Sequence, residues 1–193
     1  ILLELDGSEN KINLGANATL AVSLANAKCA AIANKLSLFK NLGKSYSLPI
    51  PLMNIINGGA HADNDLNIQE FMIRPDSAKN FTDALEKCFV VIQNLKKLLQ
   101  SKKMLTNVGD EGGFAPSINS NEEALDLIVQ AIEKSKLKPG NDVVICLDVA
   151  ANELINEKGE YSVQSSNFMP VDDVVNYYKK LTSDYPIKSI EDP

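Results

Sequence analysis

Val143-Val144-Ile145-Cys146-Leu147-Asp148 is a nearly continuous apolar run closed by a carboxylate, and Ile187-Lys188-Ser189-Ile190-Glu191 ends in the same way. Such a run has the pattern of a strand covered on both faces. Between the two, Pro170 opens a segment of helical period with Val171, Val174, Val175, Tyr178 and Leu181 on one face. Strand, helix, strand in that order predicts an α/β fold with a parallel sheet and helical crossovers, in a barrel or an open doubly wound form. Tyr161 and Val163 predict a minor edge strand ahead of the helix. Ligands of parallel α/β folds gather at the carboxyl ends of strands. In a barrel, Asp148 and Glu191 would therefore converge on one mouth as hard oxygen ligands suited to Mg²⁺. An acidic residue ending a strand is equally a turn former or a helix cap, so position alone leaves both readings open.

Upstream, residues 52–56 and 68–73 are short apolar runs joined by a polar loop, which predicts two strands. The period then changes. Leu85, Cys88, Phe89, Ile92, Leu95 and Leu99 recur at three- and four-residue steps behind Asn80 as a cap, predicting an amphipathic helix with a lysine-rich last turn. Ser120 and Glu123 form a capping box for a second helix, with Leu125, Ile128, Val129 and Ile132 on one face and Pro139 and Gly140 as its stop. Residues 14–34 are rich in alanine, a strong helix former whose small side chain permits close packing, and predict a buried or semi-buried helix. Asn41, Gly43 and the turn-rich stretch 45–51, with two prolines, place a domain boundary near Leu48.

The 193 residues are 45% apolar and 23% charged, a balance that belongs to globular rather than disordered or membrane chains. A net charge of −6 disfavours nucleic acid as a partner, because the surface repels phosphate backbones. An acidic protein that handles an anion needs local positive charge, from a metal ion or a few placed cations. The sequence has no apolar run of about 20 residues and no signal-peptide pattern, so no membrane is expected and a cytoplasmic location is. Cys29, Cys88 and Cys146 lie in apolar periodic segments without a C-x-x-C pair, which predicts buried reduced thiols. A start at Ile1 without methionine and an end at Pro193, directly after a strand, predict a piece of a longer chain.

Two loops carry further candidates. Val108-Gly109-Asp110-Glu111-Gly112-Gly113-Phe114-Ala115-Pro116 holds two carboxylates among three glycines. The glycines free the backbone for close approach, and a carboxylic acid held there near a metal could move a proton. As a bare pattern it is also a turn. Asn57-Gly58-Gly59-Ala60-His61-Ala62-Asp63 contains the single histidine, facing either a substrate or solvent. One histidine without H-E-x-x-H or paired cysteines disfavours zinc. Gln69-Glu70 opens an otherwise apolar strand, so Glu70 is either solvent-facing or a second carboxylate of a site. G-x-S-x-G, G-x-x-x-x-G-K-[ST] and strand-borne G-x-G-x-x-G are all missing, which removes the mechanical parts of hydrolase, nucleotide and dinucleotide readings.

Taken in order, these strings resemble one family, the enolases. The likeness runs through Asp6-Gly7-Ser8-Glu9-Asn10-Lys11, Leu14-Gly15-Ala16-Asn17-Ala18, residues 53–63, Ile68-Gln69-Glu70-Phe71-Met72-Ile73, residues 108–116, Leu147-Asp148-Val149-Ala150-Ala151 and Ser189-Ile190-Glu191-Asp192-Pro193. The resemblance implies that residues 1–47 are the end of an α+β capping domain. Residues 48–193 would then be the first half of an enolase-type modified (β/α)₈ barrel, opening with two strands and two helices. It implies reversible, Mg²⁺-dependent dehydration of 2-phosphoglycerate to phosphoenolpyruvate by a homodimeric parent. Glu111 would be the acid that assists loss of the hydroxyl, with Glu70 as its carboxylate neighbour. His61 and Gln69 would contact substrate, together with Glu70. Asp148 and Glu191 would be two of three carboxylates on the metal. Enolase-superfamily sites are a reference case for this chemistry, a Lys or His base working with one or two Mg²⁺ ions. The third carboxylate, the base lysine and the closing serine loop would lie outside these residues, so the segment alone is expected to be inactive. Two alternatives stand beside this: another lyase of the superfamily, and a non-catalytic binding or scaffold module.

Overall fold

A computed structural model describes residues 1–44, 46–109, 111–164 and 167–193. Ser45, in the turn-rich stretch, and Asp110, half of the acidic pair, lie outside the described residues. The chain divides into two compact units, Ile1–Leu48 and Pro49–Pro193.

The first unit is helical, with α1 (Leu2–Asp6), α2 (Ala16–Ala33) and α3 (Leu38–Leu42). Its loop 7–14 is organised by Asp6, whose buried carboxylate accepts from Leu14 N at 2.7 Å and from both Ser8 N and Ser8 Oγ. The Ala-rich helix forms as predicted, but it is not buried: Ala31 is its one buried residue, while Leu20, Val22 and Ile32 are exposed. Cys29 is exposed too, contrary to the expectation from composition. The helix is apolar on every side rather than along one stripe, so it needs partners all round, and within this unit α3 covers only part of its surface.

The second unit contains β1 (Met53–Asn57), β2 (Glu70–Arg74), α4 (Phe81–Ser101), β3 (Val108–Gly109), β4 (Gly112–Phe114), α5 (Asn121–Lys134), β5 (Val144–Asp148), β6 (Tyr161–Gln164), β7 (Asn167–Met169), α6 (Val171–Asp184) and β8 (Ile187–Glu191). Among the described residues the main sheet runs β3-β4-β1-β2-β5-β8, an open sheet that closes no barrel. β5 and β8 pair in parallel around the α6 crossover, as the opening pattern predicts. β2 breaks the parallel rule and lies antiparallel to both β1 and β5. The loop between β1 and β2 carries no crossover helix, so the chain returns beside the strand it has just left. β6 is not an edge strand of this sheet; it pairs with β7 in a separate ribbon.

Alternation sorts the sheet into two faces. Phe71, Ile73, Ile145, Leu147 and Ile187 join Cys88, Leu95, Leu99, Leu125, Ile128 and Ile132 of the helices in one apolar core. Each fully buried aliphatic side chain there contributes roughly 1.5–3 kcal/mol of transfer free energy. The other face holds Met72, Val144 and Cys146 as a small separate cluster. The buried stripe of α4 is Ala84, Cys88, Val91, Leu95, Leu98 and Leu99, turned from the predicted one so that Leu85 and Phe89 are left exposed. Its lysines fall just before or after the last turn rather than in it. In α6, Val171 and Val175 are likewise exposed, while Tyr177 is buried. α5 stops at Lys134, short of Pro139.

Candidate active site

Strand register lines up the chemistry. Asn57 pairs with Glu70, Glu70 with Asp148, and Asp148 with Glu191, so one row of residues crosses β1, β2, β5 and β8 at a single sheet edge. β1, β5 and β8 end at this edge and β2 begins there. The three carboxylates share the face that carries Met72 and Cys146, opposite the helical core. Sequence position could only offer Asp148 and Glu191 as strand-end acids. The fold brings Glu70, the other carboxylate candidate, between them and Asn57.

Backbone contacts fix this edge. Gln69 N donates to Asp148 O at 3.1 Å, Val149 N to Glu191 O at 3.0 Å, and Ala151 N to Asp192 O at 3.1 Å. Ala150 N reaches Asp148 Oδ1 at 3.3 Å. Gly58 N and Gly59 N donate to Gln69 O and Leu66 O, which folds the histidine loop back over the start of β2. A Cβ on Gly58 would stand 2.5 Å from Ile68 O and Leu66 Cβ, so the close return requires glycine. His61 sits in a short 3₁₀ turn, Gly59–His61, and points Nδ1 at Glu70 Oε1 over 3.6 Å. That nitrogen is buried and has no hydrogen-bond partner among the described residues.

The electrostatics are one-sided. Burial raises the proton affinity of Glu70 above the ordinary carboxyl range, and Asp148 adds to the rise; His61 opposes it, while Glu111 and Glu191 reinforce it. Glu111, exposed at the β3–β4 turn, thus acts on Glu70 through space. Among the described residues no group of three or more His, Cys, Asp or Glu side chains is arranged to hold a metal ion. Asp148 and Glu191, adjacent in register, offer two hard oxygen donors, which is what Mg²⁺ commonly takes from a protein while keeping water or substrate on its other positions. The donor chemistry and the excess negative charge around Glu70 both fit such a cation.

The description "Enolase, C-terminal TIM barrel domain" belongs to a family model that matches residues 45–193, and that of "Enolase, N-terminal domain" matches residues 1–42. The chain belongs to the enolase family. It is 60% identical over 195 residues to the enolase of Pelagibacter ubique, and 50% identical over 196 residues to that of Corynebacterium kroppenstedtii. Each comparison covers 100% of this chain and 46% of the relative, so the chain spans about half the length of the curated enolases it matches. Among the described residues, no helix is long and apolar enough to cross a membrane.

The sequence reading missed two asparagines of this enolase edge. Asn57 is fully buried, and its Nδ2 donates to Gly112 O and to Gly113 O. Asn64 Nδ2 bridges Asn57 O at 2.9 Å and Pro116 O at 3.1 Å. Asparagine beside glycine signals a turn, and that local meaning hid their long-range one.

Proposed function

We propose that the parent of this chain is a Mg²⁺-dependent carbon–oxygen lyase that interconverts 2-phosphoglycerate and phosphoenolpyruvate. The observation that carries the reading is the register row of Glu70, Asp148 and Glu191 at one sheet edge, with His61 turned toward Glu70. In it, Asp148 and Glu191 hold the metal. Mg²⁺, when bound, supplies positive charge that stabilises the negative charge developing beside the substrate carboxylate. Glu111 delivers a proton to the departing hydroxyl, which leaves as water. Glu70, whose proton affinity is raised first by burial and then by Asp148, is the carboxylate neighbour of Glu111 on the side of that hydroxyl. His61 and Gln69 position the substrate from the glycine-rich loop and from the residue just ahead of β2. The base lysine and the third metal carboxylate come from the rest of the parent chain. On the same reading residues 1–47 close a capping domain, residues 48–193 open the barrel domain, and the parent works as a cytoplasmic homodimer.

Phosphoenolpyruvate formation by the full-length protein tests this. Turnover is expected with Mg²⁺ and is lost with a chelator, and Glu111→Gln should lower kcat on the order of 10²- to 10⁴-fold. A folded full-length protein that binds 2-phosphoglycerate without turning it over would favour a non-catalytic module instead.

A further inference from the structure

We propose that Asn57 is the positioning residue for Glu111, clamping the β3–β4 hairpin to the sheet edge on which Glu70 sits; this rests on the reading of Glu111 as the acid. Three observations converge on it. The first is a bulge. Register shifts between Asn54 and Ile56, leaving Ile55 as an extra residue, so Asn54 pairs with Met72 and Asn57 with Glu70. Two positions three apart thereby fall on the same face of β1, which an unbulged strand would not allow. Asn54 Nδ2 can then donate to Asn57 Oδ1 at 2.5 Å, which sets the orientation of the Asn57 carboxamide.

The second is the use made of that orientation. Both Nδ2 hydrogens of Asn57 go to the hairpin, to Gly112 O and Gly113 O. Asn57 O is in turn held by Asn64, which also holds Pro116 O two residues past the end of β4. The side chain is fully buried, so water does not compete for these contacts.

The third is the shape of the hairpin around the carboxamide. A Cβ on Gly109 would lie 2.5 Å from Asn57 Nδ2, and one on Gly113 would lie 3.0 Å from Ile55 C and 3.2 Å from Asn57 Nδ2. Gly113 also holds φ +67°, a conformation glycine adopts freely. Gly109 and Gly113 of the acidic loop are therefore spaces for Asn57 and the bulge. Glu111 lies between Gly109 and Gly112, the residues in contact with the clamp, while Glu70 is the register partner of Asn57. One carboxamide thus sets the relative placement of both acids.

The test uses the full-length protein carrying Asn57→Asp, which keeps the shape and removes the donors, and Asn54→Ala, which removes the orienting bond at a part-exposed site and serves if the first variant does not fold. Amide exchange across residues 109–114 should accelerate at least about tenfold in Asn57→Asp, with protection in α4 and α5 unchanged. Per folded molecule, kcat should fall on the order of 10- to 100-fold while KM stays within about threefold, the signature of a misplaced catalytic group. Asn54→Ala should shift both readouts the same way, more weakly. Unchanged hairpin exchange in both variants would overturn the clamp. Accelerated exchange with kcat intact would overturn its catalytic role. A wild-type protein inactive on 2-phosphoglycerate would overturn the functional reading and this role with it, leaving exchange to decide the clamp.

Discussion

Burial raises the proton affinity of Glu70, and Asp148, Glu111 and Glu191 add to the rise against the one imidazole that faces it. The folded chain binds the Glu70 proton more tightly than the unfolded chain does, so fewer protons are bound on unfolding and stability declines as pH rises. The stabilising contribution is complete below the ordinary glutamate value of 4.5 and is lost as pH climbs through the higher folded value. Denaturant midpoints of the full-length protein, metal-free, should therefore fall across that window, and Glu70→Gln should flatten the decline. An identical pH profile in the variant would show that Glu70 is not the group under strain.

At the scale of elements, short-range signals were the legible ones. Ser120 Oγ accepts from Glu123 N at 3.1 Å, and Glu123 Oε2 reaches back to Asn119 N at 3.2 Å, so the capping box at the start of α5 forms with its return bond one residue earlier than usual. Asn80 and Asp83 repeat the arrangement at α4. Ser120→Ala should destabilise the full-length protein by about 1 kcal/mol, read from its chemical denaturation, with no change in metal binding. The strand–helix–strand unit from Val143 to Glu191 was equally readable, because a buried parallel strand and an amphipathic crossover each write their period into the chain. The antiparallel β2, the bulge at Ile55 and the β3–β4 hairpin were not. Each depends on which strand lies alongside, information that a local window does not hold. The α4 stripe was misread for a related reason: Leu85 and Phe89 are as apolar as Val91 and Leu98, and only the packing partner chooses between adjacent lines.

At the scale of the whole molecule, the row of carboxylates is legible as a site only once the sheet is assembled. Asp148 and Glu191 are far apart in sequence and neighbours in register, and Glu70 enters from a strand running the other way. Exposed Leu3, Leu20, Ile32 and Phe39 in the first unit, and exposed Val171 and Val175 in the second, show apolar faces left uncovered within each unit. That fits a chain spanning about half the length of the enolases it matches. The most direct measurement is Mg²⁺ binding to the full-length protein by calorimetry, wild type against Asp148→Asn. Wild type should bind Mg²⁺ and the variant at least about tenfold more weakly, as the loss of a hard anionic ligand requires. Equal affinity in the two proteins would contradict the assignment of this sheet edge as the metal-binding side of the site.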